Sequence, residues 1–361
     1  MLALVLALAG GIDPSALPPP PPGPLGPGAL PPPPLLAPPG PSAPPPPPPP
    51  KRTGIESPFR VPPLLFRERS YLFSGVPDPG PPGRRAERLF EASVVANFPI
   101  YDDLQERVSR FTPQEGWSRA FSFTFQLRLR MLRDASSPIQ MPSYMPRLEF
   151  QLLRVWPWQI GGAFRILGLT YGLNHHSNGQ HGCPYQAGLD RPACAPARDA
   201  PDLSERLNRR RGDFGSNTLS FDVRHQFGTL DDNGYVHRAW TLGARAELQV
   251  PGAGGLETEE VPLYGLVQLR PLAEYLYELE GGQRLRFEGA IEASLGAGAH
   301  VPWLRGWVEA ALTWRNWGGF GFFGRLYGGR DYYNAFYVDA IWQLHLGVTF
   351  DLTSPLHFGP G

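Results

Sequence analysis

Phe121-Ser122-Phe123-Thr124-Phe125-Gln126-Leu127-Arg128-Leu129-Arg130-Met131 is the stretch that decides how the rest of the chain is read. Every odd position is apolar and every even one is polar or charged. Side chains alternate faces along a strand, so this is a strand with one greasy side and one wet side. Working outward, the same alternation recurs between turn residues. It predicts strands near 88–99, 119–132, 146–155, 165–175, 217–227, 235–250, 263–272, 284–295, 306–317, 321–330 and 343–352. A twelfth is expected either around Tyr71-Leu72-Phe73 or within 331–342. No amphipathic helix competes, beyond a charged turn at Glu205–Arg211.

An all-β chain of this kind can be a soluble sandwich or a membrane barrel. Runs this long exceed what a sandwich uses and suit tilted membrane strands with extensions. Trp117, Trp156, Trp158, Trp303, Trp307 and Trp317 fall near strand ends, where interfacial aromatic girdles sit. No run approaches the roughly 20 apolar residues of a membrane helix. With 33 basic and 33 acidic residues, nothing in the charge favours nucleic acid as a partner.

The N-terminus differs. Residues 1–9 read as a short signal peptide ending in Ala7-Leu8-Ala9, the alternative being a chance apolar start. Residues 10–65 are dominated by Pro, as in Pro18–Pro22 and Pro44–Pro50, and read as an extended, disordered tether without a core. The strands occupy 66–353, leaving 354–361 as a C-terminal tail. The two cysteines, Cys183 and Cys194, bracket a short loop and suit one local disulfide in an exported protein.

The chemistry concentrates at Tyr171-Gly172-Leu173-Asn174-His175-His176-Ser177-Asn178-Gly179. His175 and Ser177 share the face of Leu167, Leu169 and Leu173, whereas His176 points the other way. In a barrel that apolar face meets lipid. On the next strand Asn217 leads the apolar face of Leu219, Phe221 and Val223. Antiparallel pairing brings Asn217 toward His175. A serine hydroxyl becomes a nucleophile when a base takes its proton, His175 can be that base, and an Asn carbonyl can hold the imidazole's tautomer. The backbone amides of Asn178 and Gly179 are candidates for an oxyanion hole. His-x-Ser alone is a common pattern, and Ser-Asn-Gly alone is an ordinary turn.

The segment 171–179 resembles the Tyr-Asn-His-x-Ser-Asn-Gly motif of outer-membrane phospholipase A. Ser136-Ser137-Pro138 followed by Tyr144-x-Pro146 resembles that family's Ser-Ser-Pro and Tyr-x-Pro elements at the same spacing. Fainter echoes are Phe98-Pro99, Tyr327-Gly328-Gly329 and Tyr333-Asn334. The resemblance spans about 70–352 and implies an all-β, antiparallel up-and-down barrel of about twelve strands in the bacterial outer membrane. It implies calcium-dependent hydrolysis of phospholipid acyl esters, lysophospholipids included. Ser177 would be the nucleophile, His175 the base, Asn217 the orienting residue and Gly179 an oxyanion amide. The family works as a calcium-bridged homodimer. Its calcium ligands map to Ser136, the Gln180 carbonyl and Asp213, the last a carboxylate where the family has a serine. The loop between Ser177 and Asn217 is longer than the family's, which makes Asn208 the competing orienting residue. The rival readings are a lipid A deacylase barrel, in which an acidic residue pairs with the His, and a non-enzymatic pore or structural barrel.

Overall fold

The computed structural model describes residues 65–76, 88–104, 116–132, 139–156, 162–185, 207–208, 211–252, 255–256, 260–298, 301–350 and 358. The chain divides into two units, 1–56 and 57–361, and the first lies wholly outside the described residues, as does most of the Pro-rich tether. The second unit is a closed antiparallel barrel of twelve strands. They are β1 (Ser70–Val76), β2 (Arg88–Asp102), β3 (Gly116–Leu132), β4 (Ser143–Val155), β5 (Ala163–Ser177) and β6 (Gly215–Leu230), then β7 (Val236–Gln249), β8 (Val267–Glu278), β9 (Gln283–Leu295), β10 (Leu304–Trp314), β11 (Phe320–Arg330) and β12 (Ala340–Phe350). Each strand pairs with its neighbours in sequence, and β1 closes the ring on β12. Among the described residues no helix is long and apolar enough to cross a membrane.

The alternation read in Phe121–Met131 holds in space. Ser122, Thr124, Gln126 and Arg130 are buried in the lumen, and the intervening apolar residues face outward. Around the barrel the outer wall is apolar: Leu173, Val308, Phe322 and Leu346 are each more than half exposed. This is the inverse of a water-soluble fold, and it is the polarity that lipid demands of a barrel wall. Trp117, Trp303 and Trp317 are exposed, as expected of girdle residues.

Of the two places expected for the twelfth strand, the one around Tyr71-Leu72-Phe73 holds it, as Ser70–Val76, while most of 331–342 forms a loop with a single 3-10 turn. Two expectations are corrected. The strand expected from Leu263 begins at Val267, because Pro262 opens a one-turn helix, Val261–Tyr264, that buries Leu263 and Tyr264. Trp307 is not a girdle residue. It follows Arg305 and precedes Glu309 on the inward face, and its indole donates to Glu288 at 3.1 Å. Trp158 lies outside the described residues.

The barrel has a long-loop end, carrying the connections 133–142, 178–214, 250–266, 296–303 and 331–339, and a short-turn end, carrying 231–235, 279–282 and 315–319. Each end is packed with apolar side chains. Tyr185, Leu207, Phe214, Leu256, Leu263, Tyr264, Val301 and Val338 form a cluster of loop residues at the first. At the second, Leu153, Val155, Phe164, Ile166, Leu230 and Ala239 surround Phe358. Leu65 and Phe66 pack on this second cluster.

Between the two clusters the lumen is ionic. Arg67 pairs with Glu149, Arg147 with Glu68, and Arg286 with Glu309. Arg130, 1% exposed, donates Nη1 and Nη2 to Asp331 at 2.8 and 2.9 Å and Nε to Glu91 at 2.8 Å. Buried charges are tolerated when they are paired and hydrogen-bonded in this way. Removing one partner strands the others. Arg130→Ala is therefore expected to cost roughly 3–5 kcal/mol, read as a lower urea midpoint in detergent micelles. An unchanged midpoint would show that the network does not brace the barrel.

Candidate active site

The long-loop ends of β5 and β6 set the geometry. Their register pairs His175 with Asn217, His176 with Ser216, and Ser177 with Gly215. His175 and Asn217 therefore stand side by side on the outer face, where Tyr171, Leu173, Leu219 and Phe221 are exposed. His175 Nδ1 lies 2.7 Å from Asn217 Oδ1. A carboxamide oxygen can only accept, so Nδ1 carries the proton and Nε2 is left with a free lone pair. That is the tautomer a general base needs.

Ser177 lies two residues beyond His175 on the same face, at a spacing of about 6.6 Å along a strand rising about 3.3 Å per residue. No hydrogen bond joins the two among the described residues. On the other side Ser177 pairs with Tyr144 of β4, whose exposed ring also lies on the outer face. Gly179 turns with φ +67°, and a Cβ there would meet the Tyr144 ring at 3.2 Å. His176 faces inward, its ring packed edge-on against Phe214 and Tyr337. Asn208, the competing orienting residue, is engaged elsewhere: it donates to the Cys183 carbonyl and accepts from the Arg211 amide. Cys183 is held in a disulfide, and the other cysteine, Cys194, lies outside the described residues.

No family model matches the sequence, and no curated protein matches it. Solved structures do. Outer membrane phospholipases are among those that match. The barrel is similar to outer membrane phospholipase A from Escherichia coli at 14% identity, covering 79% of this chain and 93% of that one with a TM-score of 0.44. It is also similar to the Salmonella typhi outer membrane phospholipase, a dimer with bound calcium, at 15% identity, covering 82% and 95% with a TM-score of 0.45.

One residue that the sequence reading used only for its backbone holds the site together. Asn178 is fully buried. Its Oδ1 accepts from the amides of Gln180 and Phe214, both at 3.1 Å, and its Nδ2 donates to the Gly212 carbonyl at 2.8 Å. Its own amide donates to the Phe214 carbonyl at 3.1 Å. That last bond corrects an expectation: the Asn178 amide is already engaged and is not available to an oxyanion, which leaves the Gly179 amide. The Asn178 side chain spans a sequence gap of more than thirty residues, between turn and loop, so no local signal marked it. Tyr333 and Asn334 add a brace. The Tyr333 hydroxyl and Asn334 Nδ2 both donate to the Met141 carbonyl at 2.9 Å, and the Met141 sulfur contacts Asn178.

Of the three calcium ligands that the resemblance implies, Ser136 lies outside the described residues. The other two sit at Asn178's partners: Gln180 is one of them, and Asp213 precedes another, Phe214. Asn178 thus ties together the two backbone stretches that carry them. A carbonyl, a hydroxyl and a carboxylate are the hard oxygens calcium takes. Among the described residues no cluster of three His, Cys, Asp or Glu side chains forms a metal site, and the expected set does not call for one.

Asn178→Ala would strand the buried Phe214 amide and Gly212 carbonyl and release the part-buried Gln180 amide. Each stranded group costs roughly 1–3 kcal/mol. The expected result is a lower unfolding midpoint together with easier proteolysis of the 178–214 loop. Unchanged proteolysis would remove Asn178 from its proposed bracing role.

Proposed function

We propose that the chain is a calcium-dependent phospholipase of the bacterial outer membrane, cleaving acyl esters of phospholipids and lysophospholipids with Ser177, His175 and Asn217. The observation that carries this reading is the His175–Asn217 hydrogen bond on the lipid-facing wall, with Ser177 next along the same face. Most of the strands span 11–17 residues. That meets or exceeds the roughly 9–11 a tilted membrane strand needs. A lipid in the outer leaflet then meets the catalytic face without leaving the bilayer.

Ser177 Oγ attacks the ester carbonyl carbon as its proton passes to His175 Nε2. Asn217 Oδ1 accepts from Nδ1 throughout and keeps the ring oriented. The carbonyl oxygen takes up negative charge and is met by the Gly179 amide. Collapse expels the glyceryl oxygen, which takes the proton from His175, and leaves an acylated Ser177. Water, deprotonated by His175, then attacks the acyl carbon and frees the fatty acid. Ser136, the Gln180 carbonyl and Asp213 would hold calcium, which would supply positive charge near the oxyanion. The homodimer implied by the resemblance would offer Ser136 to the neighbouring subunit.

A lipid A deacylase would need an acidic partner for the His, and here the partner of His175 is an amide. For the pore reading, apolar clusters fill the lumen toward both ends, which is a poor design for conduction.

The test is release of fatty acid from phospholipid in mixed micelles, with calcium or with a chelator. We expect Ser177→Ala to abolish release, His175→Ala to lower kcat by roughly 10²–10⁴-fold, and Asn217→Ala to lower kcat with little change in KM. Chelation should abolish activity and calcium should restore it. Full activity in Ser177→Ala would overturn the nucleophile assignment; full activity with chelator would overturn the calcium assignment.

A further inference from the structure

We propose that the outer wall seats the headgroup of an anionic phospholipid at the short-turn end, in a hollow flanked by Arg165 and Arg238. The hollow lies at the opposite end of the barrel from His175 and Ser177. It rests on the reading of the barrel as a membrane protein and not on the lipolytic chemistry.

The distribution of charge on the wall points to it. Among the described side chains that face outward from the twelve strands, the charged ones are Arg119, Arg154, Arg165 and Arg238, and none is acidic. All four lie on the run of strands from β3 to β7, each near the short-turn end of its strand. An interfacial girdle is expected all round a barrel. A cationic patch confined to one side marks a particular place on the wall.

Two of the four share one concave space. Arg165, Phe227, Thr229, Arg238, Trp240 and Tyr275 line a hollow of about 340 Å³, with Ala163 and Gly228 leaving room in its lining. The register sets Arg165 of β5 opposite Phe227 of β6, and Arg238 of β7 opposite Thr229. The two arginines therefore flank β6, with backbones two strand spacings, or about 10 Å, apart. Both are exposed. Arg238 Nε donates to Thr229 Oγ1 at 3.3 Å, which draws that guanidinium toward β6. Neither arginine pairs with a carboxylate among the described residues. At the adjoining turn, Asp231 is engaged in accepting from the Asn233 and Tyr235 amides. Residues 156–162, beside Arg165, contain no acid in their sequence.

Guanidinium forks match the oxygens of a phosphodiester. Trp and Tyr rings settle at headgroup depth, and Trp240 packs on Tyr275 with ring centroids 4.6 Å apart. Leu242, next on the same face of β7, begins the apolar wall along which the lipid chains lie. The hollow thus joins a site for an anion to a site for hydrocarbon, which a lipid fills and a soluble phosphate does not. Two cations favour a headgroup that brings no cation of its own. Short turns of such barrels face the periplasm, so the lipid belongs to the periplasmic leaflet. Arg154, set over the Trp117 and Trp156 rings, extends the same cationic belt.

The test is native mass spectrometry of the full chain in uncharged detergent, counting retained diether phosphatidylglycerol against diether phosphatidylcholine. Ether links cannot be cleaved as esters, so the count is the same whether or not Ser177 is a nucleophile. We expect saturable retention of one phosphatidylglycerol in preference to phosphatidylcholine. Arg165→Gln and Arg238→Gln should each weaken it about fivefold, whereas Arg119→Gln, outside the hollow, should leave it unchanged. Heat-modifiable gel migration reports whether each variant is folded, and if one does not fold the other decides. Equal retention of the two lipids by the wild type overturns the proposal. So does an equal loss in Arg119→Gln, which would mean attraction by the belt as a whole. Displacement of the lipid by inorganic phosphate at matched concentration would overturn it in favour of a soluble anion.

Discussion

Ser70–Val76 pairs with Leu344–Phe350 on one side and reaches β2 on the other, and the rest of the molecule depends on that closure. An open twelve-stranded sheet would leave two edges of unpaired amides and carbonyls. In lipid such edges have no solvent to turn to. Closing the ring satisfies them and separates an inside from an outside. Only then do the two faces of Phe121–Met131 acquire different neighbours. The ionic lumen and the apolar wall are two results of one topological fact.

Closure also explains why the candidate site can be built from so few parts. Neighbouring strands in a closed sheet hold a fixed register. His175 and Asn217 meet because fifteen consecutive residue pairs between β5 and β6 are in step. A slip of one residue would send Asn217 into the lumen. The loop that follows Gly179 is long, but it does not set the distance between the two side chains. Asn178 sets the shape of the turn instead, gathering the amides of Gln180 and Phe214 onto one carboxamide.

Much of this was legible in the sequence because a period of two survives in any strand, whatever the strand packs against. The parity of His175, Ser177 and Asn217 followed from it directly. Trp307 shows the limit of position along a strand as a guide: it lies near a strand end, as girdle residues do, yet it shares parity with Arg305 and Glu309, and parity decides its side. The start of β8 was hidden because Leu263 and Tyr264 continue an apolar pattern, and only the turn at Gly265, with φ +82°, shows where the chain changes direction. The role of Asn178 was out of reach, since Gly212 and Phe214, the partners that tie it to the loop, lie more than thirty residues away in a stretch without periodicity.

The short reach of β1 has a consequence for how such a molecule comes to exist. Residues 65–69, immediately before it, lie in the lumen: Phe66 rests against Gly168, Arg67 binds Glu149 and Ser122, and Glu68 binds Arg147. These five residues and β1 are one continuous piece of chain. Zipping β1 onto β12 therefore carries the filling in with it. Sealing the seam and loading the interior become a single assembly event, and a ring closed without this segment would enclose Glu149 and Arg147 without their partners.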